Sequence, residues 1–181
     1  MALSQAQTDV RRAHANGGAG VLVSGIAWLT AAIAFLAAGP KPAFITLFIC
    51  GLAIAPVAQL VTKFVFRAPP TTLGKRLEII AIATVPVLLA GFYIAWRGMG
   101  EAPFAAVPIV AIAVGLRYLA FPVMYGGLVF AGLGATFIAG GAAGLAAPES
   151  AALPMAFALA LTELAVGTLL ARQWRAGHTL A

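Results

Sequence analysis

The sequence predicts an all-α fold: a polytopic transmembrane bundle of six spans with both termini cytoplasmic. Three observations predict it. Of the 181 residues, 62% are hydrophobic and 9% charged, whereas a soluble domain carries about 25% charged residues, so a water-facing surface cannot be assembled. The apolar residues fall in six long runs, and roughly 20 residues suffice for a helix to cross a hydrocarbon layer about 30 Å thick. The Lys and Arg residues, eleven in all, flank those runs and gather on alternate connections, the bias that sets membrane orientation.

Three segments follow. Residues 1–17 are a polar N-terminal cytoplasmic segment, 18–173 the six-helix domain, and 174–181 a cytoplasmic tail. Arg11 and Arg12 precede the first apolar run, 20–38. That run exceeds a signal-peptide core and five more follow, so it reads as a retained helix. The turn GPKP at 39–42 leads into the second span, 42–66, where Pro56 should kink the helix or free a carbonyl. The third span is 77–96 with Pro86 near its middle, and the fourth is 102–121 with Pro108. PVMYGG at 122–127 makes a turn into the fifth span, 128–147, and the sixth is 151–173.

The stretch 63–78, KFVFRAPPTTLGKRLE, organises the rest, because it sets Lys63, Arg67, Lys75 and Arg76 between two spans. With an inside N-terminus, the inside residues also include Arg11, Arg12, Arg117, Arg172 and Arg175, leaving only Lys41 and Arg97 outside. The bias puts both termini in the cytoplasm. An even number of spans permits two inverted halves of three helices, although internal sequence similarity is scant. The positive charge flanks spans, so headgroups rather than nucleic acid are its partner. A lone Cys50 offers no disulfide and no CxxC pair.

Glu163 is the most informative residue. It lies nine residues before Arg172, about 14 Å deeper at 1.5 Å per residue, where an ionisable group is costly and faces the bundle interior. A proton or cation site is one reading; a structural ion pair or a neutral packing residue is the other. Arg117 is its expected partner in a bidentate bond, the alternative being that Arg117 reaches back to the headgroups. Gln59, Lys63 and Arg67 recur at i, i+4 and i+8 on one helical face, and Glu78 is placed to pair with Lys63. With His14, Asn16, Tyr118 and Tyr125 they form a net-positive cluster at the inner mouth, either a pocket for a small anionic or lipidic ligand or ordinary interfacial anchoring. The fifth span carries Gly132, Gly134, Gly140, Gly141 and Gly144. Small residues let backbones approach, so it suits tight packing or the lining for a flat apolar ligand.

No HExxH, P-loop, nucleophile elbow or paired carboxylate stands in the chain. Both histidines, His14 and His178, fall outside the spans, so no intramembrane pair could hold a haem, and no cofactor or metal is implied. Three motifs together, NGGAGVLVSGIAWL at 16–29, TTLGKRLE at 71–78 and RYLAFPVMYG at 117–126, resemble an uncharacterised family of small bacterial membrane proteins, a domain of unknown function with about six helices. The resemblance implies a bacterial cytoplasmic membrane and no activity. Three function classes are expected, in this order: a transporter-like or lipid- or anion-binding protein with a cytoplasm-facing polar site, a structural or accessory subunit packing through its fifth helix against a membrane partner or a second copy, and a membrane enzyme acting on lipid.

Overall fold

The computed structural model describes residues 3–147 and 149–177; His178 and the rest of the tail to residue 181 lie outside the described residues. Six helical stretches are long and apolar enough to cross a membrane: Ala15–Ala38, Pro40–Phe66, Lys75–Gly98, Pro103–Tyr125, Val129–Ala146 and Glu149–Arg175. Among the described residues there is no strand. The chain is therefore a multi-pass all-α membrane protein, and its exposed Leu, Ile and Val side chains are the surface that meets lipid.

A short helix comes first, α1 (Leu3–Ala13), with Val10 and Ala13 buried beneath it. The turn after it places Ala15, Asn16 and Gly17 at φ of 50°, 56° and 79°. A Cβ on Gly17 would lie 2.7 Å from Phe130 Cζ, so this left-handed position both needs glycine and lacks room for anything larger. From there α2 (Gly18–Ala38) crosses, and α3 (Pro40–Leu60) returns with Pro56 inside it. The span then continues through the π-helical turns Val61–Phe66 to Arg67 at φ 52°.

The third span is two helices, α4 (Lys75–Ala83) and α5 (Val85–Gly98), broken at Thr84. Pro86 causes the break: it has no amide to donate and its ring crowds the preceding turn. The fourth span differs from the sequence expectation. Helix α6 (Ala106–Tyr125) runs straight through Pro122, and the turn begins only at Gly126, φ 73°, whose amide donates to the Pro122 carbonyl at 2.7 Å. Pro122 removes one helical donor, which membrane helices tolerate when neighbours compensate; the glycine with a left-handed backbone is the actual stop. Helices α7 (Val129–Ala146) and α8 (Ala152–Arg175) complete the bundle.

Packing sets the spans in a curved row, α3–α2–α8–α7–α6–α5. The first helix of each half, α2 or α6, packs on the second of its own half and on the third of the other. That neighbour relation is the one two inverted halves would have. Glycines permit the two closest pairs: a Cβ on Gly25 or Gly167 would meet the other backbone at 2.9 or 2.8 Å across α2–α8, and one on Gly134 would meet the Gly115 carbonyl at 2.8 Å across α6–α7. The fifth-span glycines thus serve packing within the chain, as Gly134 and Gly141 face α6 and only Gly132 meets open space. The row leaves α3 and α5 as its two ends, facing each other.

Candidate functional site

Between the ends of the row lies a cavity of about 370 Å³. Its walls are apolar side chains of α2, α3, α5 and α6, among them Trp28, Leu47, Phe92 and Val110. Lining residues on the second span run from Leu47 on α3 to Thr62 in the π-helical turns, which at 1.5 Å per residue makes a slot roughly 22 Å long. Toward one end α3 and α5 are bridged by aromatic rings, Phe44 and Phe48 against Phe92 at 5.7 and 5.2 Å, and Phe44 against Trp96 at 6.1 Å. Further along, Leu52 on α3 and Val85 and Leu89 on α5 line the cavity while remaining exposed. The slot therefore opens sideways, toward lipid, between α3 and α5.

Its other end is polar: His14, Ser24, Gln59, Thr62, Arg117, Tyr118 and Tyr125 all contribute to the lining. Arg117 is partly buried, with its guanidinium 5.3 Å from the Phe121 ring centre. Among the described residues no carboxylate lies within 4 Å of it; the ion contact given near this end is His14 Nε2 to Glu78 Oε1 at 2.7 Å. The expected Arg117–Glu163 pair is thus absent. Glu163 is fully buried on α8 behind the cavity wall, where its Oε1 accepts from Ser24 Oγ at 2.9 Å and Tyr118 Oη at 2.5 Å. Tyr118 fills the place the sequence assigned to its neighbour, because consecutive helical residues point about 100° apart. Oε2 of Glu163 has no hydrogen-bond partner among the described residues.

The expected Glu78–Lys63 pair is absent too. Glu78 Oε1 accepts from Thr71 Oγ1 at 2.5 Å and contacts His14, while the Lys63 ammonium sits 5.4 Å from the Phe64 ring centre. The Gln59, Lys63, Arg67 stripe fails for a geometric reason. It presumes α-helical spacing, but Val61–Phe66 is π-helical, and its wider turn rotates the later residues off the face. Gln59 lines the cavity with Thr62; Lys63 and Arg67 do not. Tyr118 and Tyr125 are both buried and both stacked on Phe130, at 6.4 and 4.7 Å.

Helix α1 ties down this polar end. Asp9 Oδ2 accepts the amides of Thr72, Leu73 and Gly74 at 2.8, 2.7 and 2.9 Å, so it holds the turn that leads into α4 from another helix. Those bonds, the Gly74 amide foremost, hold the Asp9 carboxyl below its ordinary range. Gln7 and Arg11 donate to the Val123 and Tyr125 carbonyls at the end of α6, both at 3.0 Å, and Trp174 of α8 donates to the Arg12 carbonyl at 3.1 Å. Sequence reasoning missed Asp9 and Ser24. The first lies some 65 positions from its partners, and the second reads as one small polar residue in an apolar run. The TTLG motif is explained here: a Cβ on Gly74 would lie 2.3 Å from Val10 Cγ2, so α1 docks only on a glycine.

No curated protein and no solved structure matches the chain. The model of a family of unknown function, DUF7010, matches residues 3–173, and the chain belongs to that family.

Proposed function

We propose that this protein binds an anionic amphiphile, a molecule with a negatively charged head and an apolar tail, in the slot between α3 and α5. The carrying observation is the juxtaposition of an apolar cavity of about 370 Å³ with a guanidinium at its polar end that no carboxylate among the described residues neutralises. The volume is typical of small-molecule sites, which pair apolar walls with a few placed polar groups. A charge held in such surroundings is costly unless partnered, and an anionic head on Arg117 supplies the partner in a bidentate form. Gln59, Tyr125 and His14 stand at the same end to contact the head, and the lateral opening admits the tail from the bilayer.

On this reading the protein resides in a bacterial cytoplasmic membrane with its polar end and both termini in the cytoplasm, as the nine-to-two distribution of Lys and Arg favours. It handles the ligand as a binder or transporter rather than as an enzyme.

The test is binding of a fluorescent alkyl sulfonate, whose head stays anionic, to the protein in nanodiscs of zwitterionic lipid. Arg117→Met should weaken binding about tenfold or more, since loss of a desolvated charge pair costs roughly 2–5 kcal/mol. A quaternary-ammonium analogue with the same tail should not compete. Equal binding by wild type and Arg117→Met, or equal competition by the cation, would overturn the reading.

A further inference from the structure

Glu163 is a second ionisable group that the cavity alone does not explain. It is fully buried, and Ser24 and Tyr118, the residues that donate to it, both line the cavity. Oε1 thus takes two hydrogen bonds, and Oε2 takes none among the described residues. A carboxylate with one bare oxygen in an apolar interior is poorly stabilised, whereas a neutral acid places its proton on that free oxygen. The surroundings offer little else to balance a charge. Helices α2 and α7 carry no titratable residue; α6 brings Arg117, Tyr118 and Tyr125; α8 adds only Arg172 and Arg175, nine and twelve positions on. His14 is the other titratable group in the cavity lining.

We infer that Glu163 is a proton-binding site linked to the cavity, taking up a proton when an anionic head engages Arg117 and releasing it through Tyr118 when the cavity empties. The inference rests on the amphiphile reading for its ligand. The proton path balances. The Glu163 carboxyl turns its O–H to the Tyr118 oxygen, and Tyr118 passes its own phenolic proton into the cavity. Tyr118 keeps the proton from Glu163, leaving a carboxylate that accepts from Tyr118 and Ser24 in the arrangement observed. The linkage is electrostatic. Ser24 and Tyr118 stand between the cavity and Glu163, so an anionic head in the cavity disfavours a second negative charge on that carboxyl. Proton and anion therefore bind cooperatively, and each raises the affinity for the other by the same factor.

The experiment measures alkyl-sulfonate affinity in nanodiscs across a pH titration. Wild-type affinity should fall at least about threefold as pH rises, the loss expected when a second like unit charge appears within about 20 Å of the head at an effective dielectric near 20. Glu163→Gln, which mimics the neutral acid, should bind at the wild-type low-pH level with no such dependence. His14→Gln should keep it. Infrared difference spectra give a readout independent of the probe: a protonated-carboxyl band that Glu163→Gln removes, and whose deuterium exchange slows in Tyr118→Phe. A wild-type affinity that ignores pH, a dependence that survives in Glu163→Gln, or no protonated-carboxyl band from Glu163 at any pH would overturn the proton site. Absence of sulfonate binding with the carboxyl band present would instead refute the anion at Arg117 and its link to Glu163, and leave only the proton exchange.

Discussion

Replacing Asp9 by Ala removes the acceptor that holds the 72–74 turn against α1. Three amides and the Thr72 hydroxyl, which donates to Asp9 Oδ1 at 3.2 Å, lose a partner, but they are not equal. Thr72 and Leu73 are exposed, and water can replace Asp9 there; Gly74 is buried, and its amide is left without an acceptor. An orphaned buried donor costs about 1–3 kcal/mol. The expected loss is therefore about 2 kcal/mol, well below four full hydrogen bonds, or roughly a thirtyfold rise in local opening. Hydrogen–deuterium exchange in nanodiscs, read by mass spectrometry, should show that rise in α1 and at 72–78, with α7 unchanged. The pH dependence has a definite sign. Asp9 is held below its ordinary range, so its contribution is present above about pH 4 and is lost as pH falls further, through the lowered value. Unaltered exchange at 72–74 in Asp9→Ala would refute this tie, and so would loosening as pH rises through the same window.

Other outcomes follow from the packing. Gly134→Leu should destabilise the protein in detergent by at least about 1–3 kcal/mol, because its Cβ would lie 2.8 Å from the Gly115 carbonyl oxygen; Gly132→Leu, with nothing within 4 Å, should not. Equal melting temperatures for the two would contradict the α6–α7 interface. Gly17→Ala should cost more than an ordinary loop substitution, since φ is 79° and Phe130 Cζ is 2.7 Å from the new methyl; a wild-type unfolding curve would argue against this turn. For topology, reporter fusions at 69–72 should read as cytoplasmic and those near Lys41 or Gly100 as external. The reverse pattern would invert the orientation drawn from the basic residues.

Much of the architecture was legible in the sequence because it depends on one-dimensional quantities. Hydropathy over about 20 residues fixes each span, since backbone amides in lipid must bond within their own helix. The nine-to-two segregation of Lys and Arg likewise needs no fold to be read. Side-chain partnerships were not legible, because they depend on rotation about helix axes. Arg117 and Tyr118 are adjacent in sequence, yet only Tyr118 reaches Glu163; one position along a helix turns a side chain by about 100°. The π-helical turns at Val61–Phe66 moved Lys63 and Arg67 off the face of Gln59, a change that no local pattern announces. Asp9 finds Gly74, some 65 residues away, only because the tertiary packing brings α1 across the bundle end. The cavity itself is a property of the row: it exists because α3 and α5, each an ordinary apolar helix in sequence, stand as its two ends with a gap between them.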